Sequence, residues 1–252
     1  MTVCYFTASG NCLYVAKRIG GTLLSIPQLM KQDNIEITDD AVGIAAPVYA
    51  VEMPMMVKEF LLRARIKTDY FFFIYTYGSG YAEAFAHVEL VCREKGLRLN
   101  YINAIQMVDN YLPGFEMQNQ IDTLPEKNVE GQIEKLLSDI ADRVETPVKI
   151  GAANKAQMAM YQKMLAKRIL RKDTAQDYIV NDNCTRCGIC AKVCPADNIT
   201  VTDKVHFANK CEVCHACLHN CPQNAIHMKN ERSAVRFRNE YISLKDIIEA
   251  NE

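Results

Sequence analysis

The sequence predicts an α/β fold built on a doubly wound parallel sheet, followed by a small α+β unit dominated by cysteine. Three observations predict it. Apolar, β-prone runs alternate with helix-patterned stretches through the first 146 residues. Eight of the 11 cysteines fall within Cys184–Cys221. Those eight form an internal repeat, each cysteine of the first copy recurring at a fixed offset of 27 residues (Cys184 to Cys211, Cys194 to Cys221).

At 252 residues the chain exceeds the ~100–200 residues of a usual single domain, which favours two units. The expected boundaries are 1–146 for the α/β unit, 147–177 for a helical linker, 178–230 for the cysteine unit and 231–252 for a charged tail. Apolar residues make up 49% and charged residues 23%, an ordinary soluble composition. A formal net charge of −1 provides no bulk field for nucleic acid or an anionic membrane, so neither is expected as a partner. The opening MTVCYFTASG shows no basic leader or cleavage site. The densest apolar run, Tyr70–Tyr77, falls far short of the ~18 residues of a membrane span. A cytoplasmic location follows as the expectation, and cysteines in a reducing compartment serve metal or redox chemistry rather than disulfides.

The elements follow in order. Residues 2–7 are a β-prone run ending in Thr7-Ala8-Ser9-Gly10-Asn11-Cys12, and Leu13–Gly20 reads as a helix. A strand, a small polar loop and a helix start form a phosphate-binding arrangement, because free N–H groups and the helix dipole face the anion. The loop carries no lysine, so it is not the GxxxxGK[ST] motif; a plain Ser/Gly turn is the alternative. Ala41–Tyr49 is a buried-type strand ending in Pro47-Val48-Tyr49, and Pro54–Arg65 is helical in pattern. Tyr70–Tyr77 is a continuous apolar strand followed by Gly78-Ser79-Gly80. Residues 81–95 read as a helix and Leu97–Val108 as a strand. In Ile133–Val144 the residues Ile133, Leu136, Leu137, Ile140 and Val144 share one helical face. Such alternation implies a parallel sheet covered on both sides, with ligands bound beyond the carboxyl ends of the strands. The loops Thr7–Cys12, Pro47–Ala50 and Tyr77–Tyr81 all fall at that edge. Cys4 and Cys92 read as packed strand and helix residues without a redox role.

Asn154–Arg171 predicts an amphipathic bridging helix, with Met158, Tyr161, Met164, Leu165 and Ile169 at helical spacing. Its basic residues, Lys155, Lys163, Lys167, Arg168, Arg171 and Lys172, form either a solvated face or a dock for an acidic partner. The tail Lys229–Glu252 is charged, with a last helix from Ser243, and carries little functional signal.

The cysteine repeat reads Cys184-Thr-Arg-Cys187-Gly-Ile-Cys190-Ala-Lys-Val-Cys194-Pro195, then Cys211-Glu-Val-Cys214-His-Ala-Cys217-Leu-His-Asn-Cys221-Pro222. Each copy continues into a β-prone stretch, Asn198–Thr202 and Ala225–Met228. Three cysteines on one tight loop reach three corners of a cubane, and the intervening amides turn toward its sulfurs. The fourth, before proline, sets off in a new direction; in two-cluster ferredoxins it ligates the other cluster. This assigns Cys184, Cys187, Cys190 and Cys221 to one 4Fe–4S cluster, and Cys211, Cys214, Cys217 and Cys194 to a second. Zinc also binds CxxC pairs, but CxxCxxC followed by CP, twice in register, disfavours it. Residues 178–230 resemble the bacterial two-cluster ferredoxins, which implies a pseudo-symmetric fold whose clusters supply folding energy. His206, His215, His219 and His227 lie in or beside the repeat. His215 and His219 are expected to be exposed polar residues, the alternative being a role in tuning a potential or coupling a proton.

The phosphate loop, the Pro-Val-Tyr turn and the Tyr-Gly-Ser-Gly turn together look like flavodoxin. Nearly the full chain resembles the flavodoxin–ferredoxin fusion proteins of anaerobes. That resemblance implies FMN, its phosphate held by Thr7, Ala8, Ser9, Gly10, Asn11 and Cys12, the last standing where flavodoxins commonly have a hydroxyl residue. Pro47, Val48 and Tyr49 would border one side of the ring, and Tyr77, Gly78, Ser79 and Gly80 the other. The chain has no tryptophan, so Tyr49, Tyr81 or Tyr111 would supply the stacking face. The implied activity is electron transfer between two 4Fe–4S clusters, FMN and a redox partner protein. The alternative is a flavin-dependent reductase of a small acceptor such as a quinone. No GxGxxG motif, substrate insertion or acid–base constellation supports the reductase, and no nucleic-acid motif supports a redox sensor.

Overall fold

A computed structural model describes residues 1–81, 83–161 and 171–252. The first unit centres on five parallel strands: β1 (Thr2–Tyr5), β2 (Thr22–Ser25), β4 (Ala41–Pro47), β6 (Tyr70–Tyr77) and β7 (Tyr101–Gln106). They lie in the order β2-β1-β4-β6-β7, which is 2-1-3-4-5 counted along the sheet's own strands. That is the flavodoxin-like doubly wound order. Two short strands, β3 (Glu36–Thr38) and β5 (Arg65–Lys67), pair separately and in parallel. The connecting helices are α1 (Asn11–Ile19), α2 (Ile26–Leu29), α3 (Met55–Arg63), α4 (Ala84–Lys95), α5 (Met117–Asp122) and α6 (Val129–Ala141).

β6 reads as an unbroken apolar run because both its faces are covered; every residue from Tyr70 to Thr76 is buried. Neighbouring β4 carries Gly43, where a Cβ would lie 2.0 Å from the Phe72 ring. Only a glycine leaves that aromatic ring its place. Cys4 and Cys92 are packed into this core as expected, their thiols raised to about 12 by burial.

Several predicted elements differ in extent. β1 stops at Tyr5, freeing Phe6 and Thr7 for the loop. β7 starts at Tyr101, because Leu97 N–H still bonds to Cys92 O as α4 unwinds. α6 begins four residues before Ile133, at Val129. A helix α7 spans Ala152–Tyr161, the first part of the predicted bridge. The rest of that bridge, and with it the proposed basic face, lies outside the described residues. Among the described residues no helix is long and apolar enough to cross a membrane.

The cysteine unit repeats in structure as in sequence. The short helices Ile189–Lys192 and Ala216–His219 occupy equivalent places in the two copies, as do β9 (Ile199–Val201) and β11 (Ile226–Met228). β9 pairs with β10 (Val205–Phe207), and β11 closes back on β8 (Tyr178–Val180), both antiparallel.

Residues 231–252 are not a loose tail. They run back over the first unit as a strap: Arg232 N–H bonds to Leu112 O at 3.0 Å and Asn239 N–H to Ser9 O at 2.8 Å. The strap ends in a helix, Leu244–Asn251, opened by a capping box between Ser243 and Asp246. This helix seats Ile247 and Ala250 in the core and ties to α1 and α2 through Lys17–Asp246 (2.5 Å) and Gln28 Nε2–Glu249 O (2.6 Å).

Candidate functional site

The loop between β1 and α1 lies at the carboxyl edge of the sheet. As at any helix start, the first N–H groups of α1 have no intrahelical acceptor; the first such bond is Tyr14 N–H to Gly10 O at 2.8 Å. Gly10 adopts φ +100°, and a Cβ there would meet Asn239 and Ile242 at 3.0 Å. Both the turn and the strap above it therefore require glycine. Ser9 Oγ accepts from Asn110 Nδ2 at 2.9 Å, and Asn11 Nδ2 donates to Val108 O at 3.1 Å. Cys12 Sγ lies 3.1 Å from Thr76 Oγ1 on β6, and burial pushes its thiol up to about 12. Thr7 is 2% exposed, and among the described residues its Oγ1 has no hydrogen-bond partner.

One cavity joins this loop to the other two sheet-edge loops. Its walls are Thr7–Ser9, Asn11 and Cys12; Pro47, Val48 and Tyr49; and Thr76, Tyr77 and Gly78. It adds Val108, Asp109 and Asn110 from the end of β7, which the sequence reading did not include. A positional signal existed for them, since they follow a strand of the same sheet. Gly78 allows the close approach: a Cβ there would sit 2.1 Å from Asp109 Cβ. Burial pushes the Asp109 carboxyl up, against hydrogen bonds from Tyr111 N–H and Ser79.

A second cavity, of about 200 Å³, continues from the first. Val48, Tyr49, Ala50, Val51, Ser79, Gly80 and Asp109–Tyr111 line it from the first unit. Val213 and His215, from the second cysteine motif, line it from the other. Of the tyrosines considered for stacking, Tyr49 and Tyr111 line this space, whereas Tyr81 packs on Tyr77 and Phe85.

The cysteines gather as two sets that exchange their last members. Cys184, Cys187 and Cys190 share a hollow with Cys221 of the other copy. Cys194 faces Cys211, Cys214 and Cys217, whose thiols are held up by burial and then by one another and by Cys194. Among the described residues no three His, Cys, Asp or Glu side chains close on a single ion. Backbone amides are aimed at the sulfurs: Val213 N–H to Cys211 and Ala225 N–H to Cys221, each at 3.3 Å, and Asn198 N–H to Cys194 at 3.4 Å. Crowded, buried thiols favour a cationic centre that takes them as thiolates, which is the chemistry an iron–sulfur cube supplies. The sets differ in depth. Cys187 is exposed and Cys184 and Cys221 half-buried, whereas Cys194, Cys211, Cys214 and Cys217 are all buried. The inner set reaches the first unit at Tyr49, whose hydroxyl is held well up by burial and by Cys214, the largest of the neighbouring charges.

The expectation that His215 and His219 are exposed is overturned: they are 2% and 5% exposed. The docking of the two units covers them. His219 Nε2 donates to Asn110 O at 2.8 Å and Nδ1 accepts from Phe237 N–H at 3.1 Å, which fixes its neutral tautomer. Burial holds both imidazoles below the usual histidine range, at about 4 and about 3. Asn220 and Asn239 carried no sequence signal, yet both tie the β1–α1 loop down, Asn220 Nδ2 donating to Ala8 O at 3.1 Å.

Comparison with known proteins adds the following. Residues 177–200 match the family model of the 4Fe-4S binding domain. The match covers the first cysteine copy; the second lies beyond it. No curated protein matches the chain. Among solved structures, a Bacteroides uniformis protein assigned as a flavoprotein is 14% identical with a TM-score of 0.34, covering 49% of this chain and 97% of its own. The Trp repressor binding protein from Bacillus subtilis is 14% identical with a TM-score of 0.35, covering 58% of this chain and 99% of its own. Likenesses this distant carry no argument about function. Sheet order and the matched segment define the class: a flavodoxin-like α/β unit joined to a 4Fe–4S binding domain.

Proposed function

We propose that this chain is an electron-transfer protein holding FMN and two 4Fe–4S clusters and exchanging electrons with a redox partner protein. The observation that carries the reading is the shared cavity. Val48 and Tyr49 of the sheet edge and Val213 and His215 of the second cysteine motif line one cavity. A flavin bound there would lie against the inner thiolate set without any diffusional encounter.

The residues fit the cofactor. Thr7 Oγ1, buried without a partner, and the open N–H groups at the start of α1 suit a phosphate. Thr7–Cys12 would hold that phosphate, Pro47–Tyr49 and Tyr77–Gly80 the ring, and Tyr49 and Tyr111 its aromatic contacts. When bound, FMN supplies a two-electron store beside one-electron clusters. The strap packs Asn239 and Ile242 against Gly10, beside the proposed phosphate cradle. The outer set, with Cys187 exposed, is the proposed entry for the partner, and the buried inner set the relay to the flavin.

Anaerobic cofactor analysis tests this directly, with about 8 Fe, from two four-iron clusters, and about one FMN expected per chain. Iron without flavin would remove the flavodoxin half of the function. Rapid reduction by a low-potential ferredoxin, followed with and without a quinone, separates carrier from reductase. Quinone turnover without any protein partner would overturn the carrier reading.

A further inference from the structure

We propose that His215 hydrogen-bonds the polar edge of the flavin ring and so links the ring to the inner cysteine set; this rests on FMN occupying the cavity between the units. Three observations converge on the residue. First, its place is built. His215 follows Cys214 directly and takes a left-handed conformation (φ +60°) at the head of the short helix Ala216–His219, as Gly188 does at the head of the equivalent helix in the first copy. Its ring stacks on Tyr111, with centroids 5.6 Å apart and planes 19° apart, and meets Tyr178 edge-on at 6.5 Å. Second, it lines the same cavity as Tyr49, Ser79 and Asp109. Third, it is buried, and among the described residues its Nε2 has no hydrogen-bond partner. A buried polar atom without a partner costs free energy and calls for an explanation, of which a missing ligand is one.

The contrast with His219 sharpens the assignment. His219 lies on the same short helix and uses both ring nitrogens, one toward Asn110 O and one toward Phe237 N–H. That imidazole is fully spent in holding the units together. His215 is held by its stack on Tyr111 and lies beside the Asn110 backbone, and among the described residues its Nε2 has no hydrogen-bond partner. The flavin's pyrimidine edge carries both donors and acceptors, so it complements that nitrogen in either tautomer of the imidazole.

The test compares wild type, His215→Phe and His215→Gln, each purified anaerobically with its iron measured, in FMN titrations and flavin absorption spectra. Phenylalanine keeps the stack on Tyr111 but removes the hydrogen bond; glutamine keeps a hydrogen-bonding group. The expected result is iron content unchanged, FMN dissociation constant raised about tenfold in His215→Phe, and most of that loss recovered in His215→Gln. A tenfold difference in how the loss falls on oxidised and reduced flavin would also move the two-electron midpoint by about 30 mV. His215→Phe with full iron, unaltered FMN affinity and an unaltered flavin band would overturn the inference. Should the Phe variant lose iron, the Gln variant decides: a displaced flavin band at full iron supports the contact, and an unmoved band overturns it. Wild type that binds no FMN at all would instead overturn the underlying reading, and this inference with it.

Discussion

The Glu212 carboxylate accepts a hydrogen bond from Met56 N–H at 3.0 Å, capping α3 from the opposite unit. α3 cannot cap itself, because Pro54 stands at its N-cap position without a side-chain acceptor. The residue following Cys211 supplies the missing acceptor, and a carboxylate at a helix N-terminus also suits the helix dipole. The cap fixes the inner cysteine loop against the sheet edge that forms the cavity. Burial pushes the Glu212 carboxyl up, while the Met56 N–H and then Lys172 draw it down.

Replacing Glu212 by alanine is expected to weaken the docking of the two units by about 1.5–3 kcal/mol, the range for a hydrogen bond to a charged group. Urea unfolding of the iron-loaded protein checks it. The wild type should unfold with both units coupled, and the variant should show an earlier transition of the cysteine unit at unchanged iron content. An unshifted midpoint would mean that the cap contributes nothing to docking.

Thr7→Val removes the buried hydroxyl that has no partner and keeps the shape. Without ligand the variant should be as stable as wild type or slightly more so, because an unsatisfied polar atom has been removed. With FMN the sign reverses: a lost hydrogen bond to a charged phosphate is worth about 1.5–3 kcal/mol, roughly a tenfold to hundredfold rise in dissociation constant. Thr7→Ser should retain tight binding. Equal FMN affinity in the valine variant would show that the phosphate lies elsewhere.

The crossed ligand sets make a directional prediction. Cys221→Ala should cost the outer, partly exposed site its fourth ligand and lower iron from about 8 to about 4 per chain, the surviving cluster being the buried one. Cys194→Ala should leave the outer cluster instead. Chelator attack distinguishes the survivors: slow in Cys221→Ala, fast in Cys194→Ala. The reverse order would mean that each motif keeps its own fourth cysteine.

How much of this was legible in the sequence depended on the range of the interactions. The cysteine sets could be read because covalent spacing alone brings Cys184, Cys187 and Cys190 onto one loop. β6 could be read because six consecutive aromatic or aliphatic residues, Tyr70–Tyr75, inside a sheet have few alternatives. β2 could not: it is four residues long, lies at an edge and is partly exposed, so its pattern carries little. The burial of His215 and His219 was invisible because it is produced by Asn110, Tyr111 and Phe237, residues remote in the chain. The strap was missed for the same reason. Asn239 reads as a polar tail residue until Ser9 and Asn11, more than two hundred residues earlier, take up its hydrogen bonds.

Asp246 provides the last prediction, because it anchors that strap. Its carboxylate accepts from Lys17 Nζ at 2.5 Å and from Ser243 N–H at 2.8 Å. Lys17 first, then Ser243, lower its carboxyl from 3.8 to about 2. A lowered folded-state value stabilises fully above 3.8, and the contribution is lost as pH falls toward about 2. At neutral pH it is therefore complete, and docking of the helix Leu244–Asn251 should be independent of pH there. Asp246→Ala removes the ion pair and the carboxylate half of the capping box together, at a cost of about 1 kcal/mol. Amide hydrogen exchange at residues 244–251 should quicken several-fold at neutral pH, with little change in the sheet. Because the strap also covers Gly10, FMN should dissociate faster from this variant. If exchange quickens while FMN release does not, the strap clamps the helix alone and leaves the phosphate loop to hold itself.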